Sequence, residues 1–120
     1  MRIIAGSHRG KKLIEYYAPT TRPTTDRVKE NVFNLLSNYV DFQGLRVSDL
    51  FAGTGAYGIE CLSRGAEYVC FNDIDQNAIN VIKKNIGQIW KNCTVTKKDY
   101  LSALGANYDL IFLDPPYDSD

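Results

Sequence analysis

The sequence predicts an α/β fold in which a parallel sheet carries helices on its faces. Three observations favour this class. Strand-like and helical segments alternate along residues 46–113. The strand segments are near-continuous apolar runs, which is typical of strands buried in a parallel sheet. A G-x-G-x-x-G sequence occupies residues 53–58, directly after the first of these strands and at the start of a helix.

The N-terminal segment is predicted to form a hairpin, a loop and a helix. Short strands at residues 2–5 and 11–14 flank a glycine-rich turn, and prolines mark the loop that follows. From about Thr25 the apolar residues recur at helical spacing. They are Val28, Val32, Leu35, Leu36, Tyr39 and Val40. Thr24 or Thr25 is the expected N-cap. We therefore divide the chain into an arm, residues 1–24, and a domain, residues 25–120.

Four strands and two further helices are predicted in the domain. The strands cover residues 46–51, 68–72, 93–97 and 108–113. The first helix covers residues 57–64 and ends at Gly65. The second covers residues 76–90, with Asp75 as its expected N-cap. Its predicted buried face carries Ile79, Ile82, Ile86 and Ile89.

The charge is unevenly distributed, although the 120-residue chain is neutral overall. Residues 1–29 carry seven Lys/Arg and two acidic residues, which gives +5, and the remainder carries seven basic and twelve acidic residues, which gives −5. A basic arm on an acidic body suits a protein that binds a polyanion. A merely solvated arm fits the charge equally well.

Cysteine usage and hydropathy exclude several classes of protein. Cys61, Cys70 and Cys93 are odd in number and form no Cys-x-x-Cys pair, so we expect free thiols in a reducing compartment and no metal site. The N-terminus has no long apolar segment, and no run approaches ~18 apolar residues. The expected protein is soluble and cytoplasmic.

The glycine-rich turn is predicted to bind a nucleoside-bearing cofactor. Gly53 would permit the tight turn, Gly55 the close approach of the ligand, and Gly58 the packing of helix on strand. Asp73 follows Gly53 by twenty residues, at the end of the second strand. Its carboxylate could accept hydrogen bonds from both ribose hydroxyls. The structural alternative is a tight turn beside a solvated Asp73.

Asp49 favours one class of cofactor over another. It lies four residues before Gly53, on the strand that leads into the turn. A carboxylate there suits the amino group and sulfonium of S-adenosylmethionine and would repel the pyrophosphate of a dinucleotide. Asp99, after the third strand, is placed to accept a hydrogen bond from the adenine amino group, although a plain loop residue is the simpler interpretation.

The sequence Asp114-Pro115-Pro116-Tyr117 indicates methyl transfer onto the exocyclic nitrogen of a nucleobase. Prolines donate no N–H, so the carbonyls of Asp114 and Pro115 are released from the sheet. The Asp114 carboxylate and the Pro115 carbonyl could accept both hydrogens of one NH₂ group, and Tyr117 could stack on the base. Alignment for in-line displacement would supply most of the remaining rate. A structural turn at the end of a strand is the alternative.

These motifs together carry a family resemblance. The matching stretches include Arg22-Pro23-Thr24 and Asp49-Leu50-Phe51-Ala52-Gly53-Thr54-Gly55, and they span residues 2–6, 9–13, 22–30, 49–55, 58–60, 63–66 and 114–117. The chain resembles the RsmD-like family of bacterial methyltransferases, which modify guanine N2 in small-subunit (16S) ribosomal RNA. The resemblance implies a Rossmann-like class I S-adenosylmethionine-dependent methyltransferase fold, with sheet order 3-2-1-4.

The resemblance also implies roles for individual residues. Cofactor-binding positions fall on Asp49, Phe51, Gly53, Gly55, Asp73, Asp99 and Thr24. The catalytic group that grips the amine falls on Asp114, Pro115 and Tyr117. The family usually has Glu where Asp73 stands, and the shorter acid should still reach a ribose. The family sheet is similar to a seven-stranded one, so strand four would be an exposed edge here. We expect either a fragment of a longer protein or a partner chain that completes the sheet, and no activity from this chain alone.

The expected partner is 16S rRNA, naked or within an assembling subunit. Arg9, Lys11, Lys12 and Arg22 of the arm would bind its phosphates. RNA is usually read at splayed single-stranded bases, which suits a base stacked on Tyr117. A DNA adenine-N6 methyltransferase would use the same motifs after base flipping, and a non-catalytic RNA-binding or assembly module would keep the fold without turnover. A nicotinamide-dependent oxidoreductase is disfavoured by Asp49.

Overall fold

A computed structural model of the protein describes residues 1–16 and 25–114. The predicted site residues Arg22, Thr24, Pro115 and Tyr117 lie outside the described residues. The elements in chain order are α1 Asp26–Leu36, β1 Arg46–Asp49, α2 Ala56–Ser63, β2 Tyr68–Asn72, α3 Gln76–Ile86, β3 Cys93–Thr96, α4 Tyr100–Ala103 and β4 Leu110–Phe112.

The four strands form one parallel sheet in the order β3-β2-β1-β4, which confirms the predicted order. β1 is central, and its last residue, Asp49, lies opposite Phe71 of β2 and Phe112 of β4. The carboxyl ends of parallel strands meet at one edge of a sheet. The segments that follow β1, β2 and β4 therefore share the edge where ligands bind in open α/β folds.

The three longer helices pack on the same face of this sheet. Alternate strand residues on that face join the helices in one core. The strand residues are Val47, Val69, Phe71 and Phe112, and the helix residues are Phe33 of α1, Ile59 and Leu62 of α2, and Ile79, Ile82 and Ile86 of α3. The core therefore fixes α2, which begins at the glycine-rich turn, directly over β1 and β2.

Two helices differ from the sequence prediction. α3 ends at Ile86, not at Trp90, because Gly87 has a φ of +56° and stops the helix. Ile89 lies beyond it and is 41% exposed, so its assignment to the buried face was wrong. In α1, Val28 and Leu35 are exposed, whereas Lys29 and Phe33 are buried. The helical spacing of apolar residues could not identify this buried face, because a buried lysine has no hydrophobic signature.

Other local predictions are confirmed, with shorter elements. Thr25 caps α1 by accepting from the Val28 N–H, and Asp75 caps α3 by accepting from the Asn77 N–H. The predicted N-terminal hairpin reduces to a single antiparallel bridge between Arg2 and Lys12. α4 was not predicted. The three cysteines are free thiols, as expected.

Glu60 of α2 joins the arm and α1 to α2. Its carboxylate is fully buried and accepts hydrogen bonds from the backbone N–H groups of Ile4 (2.9 Å) and Ala5 (3.1 Å), from the ammonium group of Lys29 (3.1 Å) and from Nε of Arg64 (2.9 Å). Burial lowers the pKa of Lys29, and the charge of Glu60 opposes that shift. A buried ion pair is tolerated when its remaining hydrogen-bonding positions are also filled, as they are here.

The glycine-rich turn of the arm, residues 6–10, lies against the C-terminal end of α2. The N–H of Ser7 donates to the carbonyl of Ser63 at 2.8 Å. Gly6 has a φ of +90°, and a Cβ there would lie 1.9 Å from the same carbonyl oxygen, so only glycine fits. α2 begins at the other glycine turn, residues 53–55. The two turns therefore lie at opposite ends of a helix about 12 Å long.

In the part of the chain that the structure describes, no helix is long and apolar enough to cross a bilayer.

Candidate functional site

The glycine-rich turn between β1 and α2 has the backbone that the sequence predicted. Gly53 has a φ of +58°, and Gly55, the N-cap of α2, has a φ of +82°. A Cβ at Gly53 would meet no atom within 4 Å. A Cβ at Gly55 would lie 3.3 to 3.4 Å from core side chains. The position that borders open space is therefore Gly53, whereas the sequence argument had given the ligand approach to Gly55.

Gly58 brings α2 close to the sheet. A Cβ there would lie 2.3 Å from Cε1 of Phe71 and 2.9 Å from Cγ1 of Val69. Both are core side chains of β2, so neither can move aside cheaply. The predicted packing role of Gly58 is confirmed.

Asp73 is tied to the turn and is not a solvated residue beside it. Its Oδ2 accepts a hydrogen bond from the N–H of Gly53 at 2.9 Å, and its Oδ1 accepts from the N–H of Asp75 at 2.9 Å. The side chain is half-buried. Each carboxylate oxygen has two acceptor positions, so Asp73 keeps the capacity to accept further hydrogen bonds from a ligand.

Asp49 is a buried acid at the same edge. Its side chain is buried, with only 2% exposure, and its Oδ2 accepts from the N–H of Gly58 at 3.3 Å. The pKa of Asp49 is raised to about 7: burial is the main cause, the hydrogen bond from Gly58 opposes the shift, and the charge of Asp73 adds a smaller increase. The carboxylates of Asp49 and Asp73 make this edge unfavourable for an anion such as pyrophosphate and favourable for a cation.

Phe51 and Asp99 follow the carboxyl ends of β1 and β3 at the same edge of the sheet. Asp99 caps α4, and its carboxylate accepts hydrogen bonds from the hydroxyl of Ser102 (2.8 Å) and from its N–H (3.1 Å). These bonds lower the pKa of Asp99, which is exposed. The ring of Phe51 lies 5.4 Å from that of Tyr100, the first residue of α4. This contact places the start of α4 beside the segment that leads into the glycine turn.

Asp114 follows β4 at the edge that also carries the turn. The N–H of Leu50 donates to the carbonyl of Phe112 at 3.2 Å, so β4 stays paired with β1 to its last residue. Tyr57, in the first turn of α2, stacks on Phe112 with ring centroids 5.1 Å apart. The half-buried Asp114 therefore lies at the same edge of the sheet as the start of the glycine turn. Pro115 and Tyr117 lie outside the described residues.

Arg9 of the arm lies away from this edge. Arg9 and Lys12 are exposed and Lys11 is half-buried. Arg9 belongs to the turn that contacts the far end of α2. A nucleic acid bound there would reach the glycine turn only by following the length of that helix.

Comparison with known proteins gives the chain a family. The family model described as Conserved hypothetical protein 95 matches residues 1–120. The chain belongs to this family. It is 45% identical to a Bacillus subtilis protein named "Putative rRNA methyltransferase YlbH", over 98% of this chain and 67% of that protein. It is 39% identical to Ribosomal RNA small subunit methyltransferase D of Escherichia coli, over 98% of this chain and 60% of that protein. The resemblance to the RsmD-like family is thereby confirmed.

Solved structures confirm the fold of this family member. The chain matches an Escherichia coli structure described as "Putative methyltransferase yhhF" with a TM-score of 0.81 and 33% identity, over 97% of this chain and 64% of that one. It matches magnesium protoporphyrin IX methyltransferase from Synechocystis, solved with bound SAH, with a TM-score of 0.60 and 25% identity, over 71% of this chain and 39% of that one. The architecture is thus the Rossmann-like methyltransferase fold, and the chain spans 60 to 67% of the curated relatives described above.

Three side chains near the turn were missed by the sequence analysis of this family member. Tyr57 stacks on β4, the hydroxyl of Tyr16 donates to Asp75, and the amide of Asn85 contacts the glycine turn. One signal was available, because Asn85 lies beside Ile82 and Ile86 on the apolar face of α3. A polar side chain on a buried face needs hydrogen-bonding partners. Within the described residues, no cluster of three or more His, Cys, Asp or Glu could hold a metal ion.

The pKa of Asp49 predicts a specific pH dependence of stability. The pKa is about 7 in the fold and near 3.8 in the unfolded chain, so the folded protein binds the extra proton between these values. The contribution of Asp49 to the free energy of unfolding is therefore fully present below about pH 4 and is lost as the pH rises through 7. Asp49→Asn stays neutral, so its free energy of unfolding should exceed that of the wild type by up to about 4 kcal/mol at pH 8 and match it at pH 4. Urea denaturation across this range would measure the difference.

The exposed Glu67 offers a matched control for that measurement. Glu67→Gln removes an acid from the surface, so its stability should follow the wild-type pH profile. A difference between Asp49→Asn and wild type that stays constant from pH 4 to pH 8 would contradict the burial of an ionisable Asp49.

Proposed function

We propose that this chain forms the cofactor-binding part of an S-adenosylmethionine-dependent methyltransferase that modifies the exocyclic N2 of a guanine in small-subunit rRNA. The observation that carries the proposal is the buried carboxylate of Asp49 beside the glycine turn. Asp73 flanks the same turn, and Asp114 leaves β4 at the same edge. The relatives named as rRNA methyltransferases and the structural neighbour with bound SAH support both the cofactor and the substrate class.

In this proposal each carboxylate contacts a different part of the cofactor. Asp49 balances the positive charge at the methionine end, where a cation would return a raised pKa toward its usual range. Asp73 accepts hydrogen bonds from the ribose hydroxyls through the acceptor positions that Gly53 and Asp75 leave open. Asp99 accepts from the adenine amino group, and Phe51, Gly53 and Gly55 shape the walls between these points. The family resemblance assigns Thr24 to the methionine end.

The amine is held by the segment that follows β4. When bound, S-adenosylmethionine supplies a methyl group on a positively charged sulfur, which leaves as a neutral thioether. Asp114 and the carbonyl of Pro115 each accept a hydrogen bond from one N–H of the guanine NH₂, which weakens conjugation of the nitrogen lone pair with the ring. When the nitrogen gains the methyl group it releases one of these protons, and the Asp114 carboxylate is the proposed acceptor. Tyr117 stacks on the base and fixes its plane. Most of the rate enhancement then comes from alignment of the nitrogen with the S–CH₃ bond.

The arm supplies contact with RNA. Residues 1–24 form the RNA-binding part, with Arg9, Lys11, Lys12 and Arg22 on the phosphates, and residues 25–120 belong to the methyltransferase domain. Because Arg9 lies about one α2 length from the glycine turn, its contribution is to RNA affinity and not to the chemical step. The RNA partner is 16S rRNA, alone or within an assembling small subunit, in the cytoplasm.

Binding of S-adenosylmethionine tests the cofactor assignment. The ligand should raise the melting temperature of the protein more than NAD does, since binding to the folded state stabilises it. Its affinity should be about tenfold weaker at pH 6 than at pH 8, because only the ionised form of Asp49, with its pKa of about 7, is competent. Asp49→Asn should bind weakly with no such pH dependence, and Glu67→Gln should behave as wild type. A larger shift with NAD would rule out methyl transfer.

Methyl transfer by an Asp114 variant tests the amine-gripping role. In a protein whose sheet is completed by the remaining strands of the family fold, Asp114→Ala should lower the transfer of radiolabelled methyl groups to small-subunit rRNA by about a hundredfold or more, since alignment of the amine is lost. Its affinity for S-adenosylmethionine should stay within about twofold of wild type. Asp41→Ala, at an exposed acid in the loop before β1, is the control. Equal losses of transfer and of cofactor binding would refute the assigned role, and preferential transfer to duplex DNA would favour the adenine-N6 alternative.

A further inference from the structure

Two hydrogen-bonded links join the end of the arm to the glycine turn. They start two residues apart, at Ile14 and Tyr16, and end on adjacent residues of the turn, Thr54 and Gly53. One passes through the side chain of Asn85, and the other passes through two aspartates. The proposed RNA-binding element and the proposed cofactor-binding turn are therefore joined indirectly, through a few polar groups.

The first link is the amide of Asn85. Its Oδ1 accepts from the N–H of Ile14 at 2.7 Å, and its Nδ2 donates to the carbonyl of Ile14 at 3.0 Å and to the carbonyl of Thr54 at 3.0 Å. The side chain is 4% exposed, and both of its donor hydrogens have acceptors. Asn85 pairs with Ile14 as a neighbouring strand would, and it fixes the carbonyl of Thr54 at the same time.

The second link begins at the hydroxyl of Tyr16. That hydroxyl donates to Oδ2 of Asp75 at 2.8 Å. The N–H of Asp75 donates to Oδ1 of Asp73, and Oδ2 of Asp73 accepts from the N–H of Gly53, both at 2.9 Å. The turn is thus held at a carbonyl by one link and at the neighbouring N–H by the other.

The chemistry of Asn85 explains why the site needs this residue type. An aspartate of the same shape could accept from Ile14 but would leave the carbonyls of Ile14 and Thr54 without a donor. A buried polar group that loses its hydrogen-bond partner destabilises the fold. Only an amide supplies one acceptor and two donors in this arrangement, so the link depends on Asn85 specifically.

We propose that Asn85 and Tyr16 are positioning residues that couple RNA binding on the arm to cofactor binding on the glycine turn. The inference rests on the proposed function, since it takes its two ligands from there. Lys11 and Lys12 lie within five residues of both links, so RNA bound to them favours the arrangement of residues 14–16 in which the links are made. The same arrangement holds Gly53 and Thr54 for the cofactor, and by linkage each ligand raises the affinity for the other equally.

Tyr16→Phe is the more direct variant for the test. It removes one hydroxyl from a half-buried side chain and leaves every backbone contact in place. Tyr39→Phe is the matched control, because Tyr39 is 79% exposed and lies beyond the end of α1. Asn85→Asp tests the other link, with the exposed Asn38→Asp as its control. Melting temperatures of all four variants separate a loss of fold from a loss of coupling.

Calorimetry would measure the affinity for S-adenosylmethionine with and without a small-subunit rRNA fragment, and the affinity for the fragment with and without SAH. In the wild type and in both controls, the RNA should strengthen cofactor binding about fivefold or more. Tyr16→Phe should melt as the wild type does and bind RNA within about twofold of it, yet show a coupling factor about half that of the wild type or lower, because the Asn85 link remains. Asn85→Asp should also lower the coupling, and it should bind the cofactor more weakly.

The outcomes distinguish this inference from the function on which it rests. Wild-type protein that binds both ligands independently, or a Tyr16→Phe variant with wild-type coupling, would overturn the inference and leave the methyltransferase proposal intact. Wild-type protein that binds no S-adenosylmethionine would overturn the proposed function and the inference together. Binding of the cofactor without any binding of RNA would overturn the inference and the assignment of the arm.

Discussion

The burial of Asp49 is the constraint on which the candidate site depends. β1 is an inner strand of the sheet, so its last residue lies under α2 and between two neighbouring strands, β2 and β4. Removing a carboxylate from water costs several kcal/mol unless other groups compensate for it. Among the described residues, the hydrogen-bond donor is one backbone N–H, that of Gly58 at 3.3 Å, and the pKa of Asp49 rises to about 7. A ligand with a positive charge would supply the missing compensation.

A second buried acid, Glu60 of α2, shows what full compensation looks like. Glu60 has two backbone donors and two cationic partners, and it joins the arm, α1 and α2. A hydrogen bond to the start of a helix does not explain the burial of Asp49 either. Asp75 makes a capping hydrogen bond to α3 from a position that is only half-buried. Glu60 therefore stabilises the fold, whereas Asp49 carries an energetic cost that a bound cofactor can relieve.

The sequence was sufficient wherever a feature depends on local pattern. The parallel sheet followed from alternating elements and its strand order from the family resemblance, and the cap at Asp75 and the turn at Gly53 followed from short motifs. Features that depend on pairs far apart in the chain were missed. Lys29 is buried because Glu60 lies opposite it, and the helical spacing of apolar residues cannot report that. Asn85 contacts Ile14 across 71 residues of sequence. Such contacts exist only after the arm has folded along α2, so no local pattern encodes them.

The protons released when S-adenosylmethionine binds would test most directly whether Asp49 faces a cationic ligand. Calorimetry at pH 7 in buffers of different ionisation enthalpy counts those protons. With a pKa of about 7 in the free protein, the wild type should release about half a proton more than Asp49→Asn does, and the difference should vanish at pH 9. Equal proton release by the two proteins at pH 7 would contradict the account.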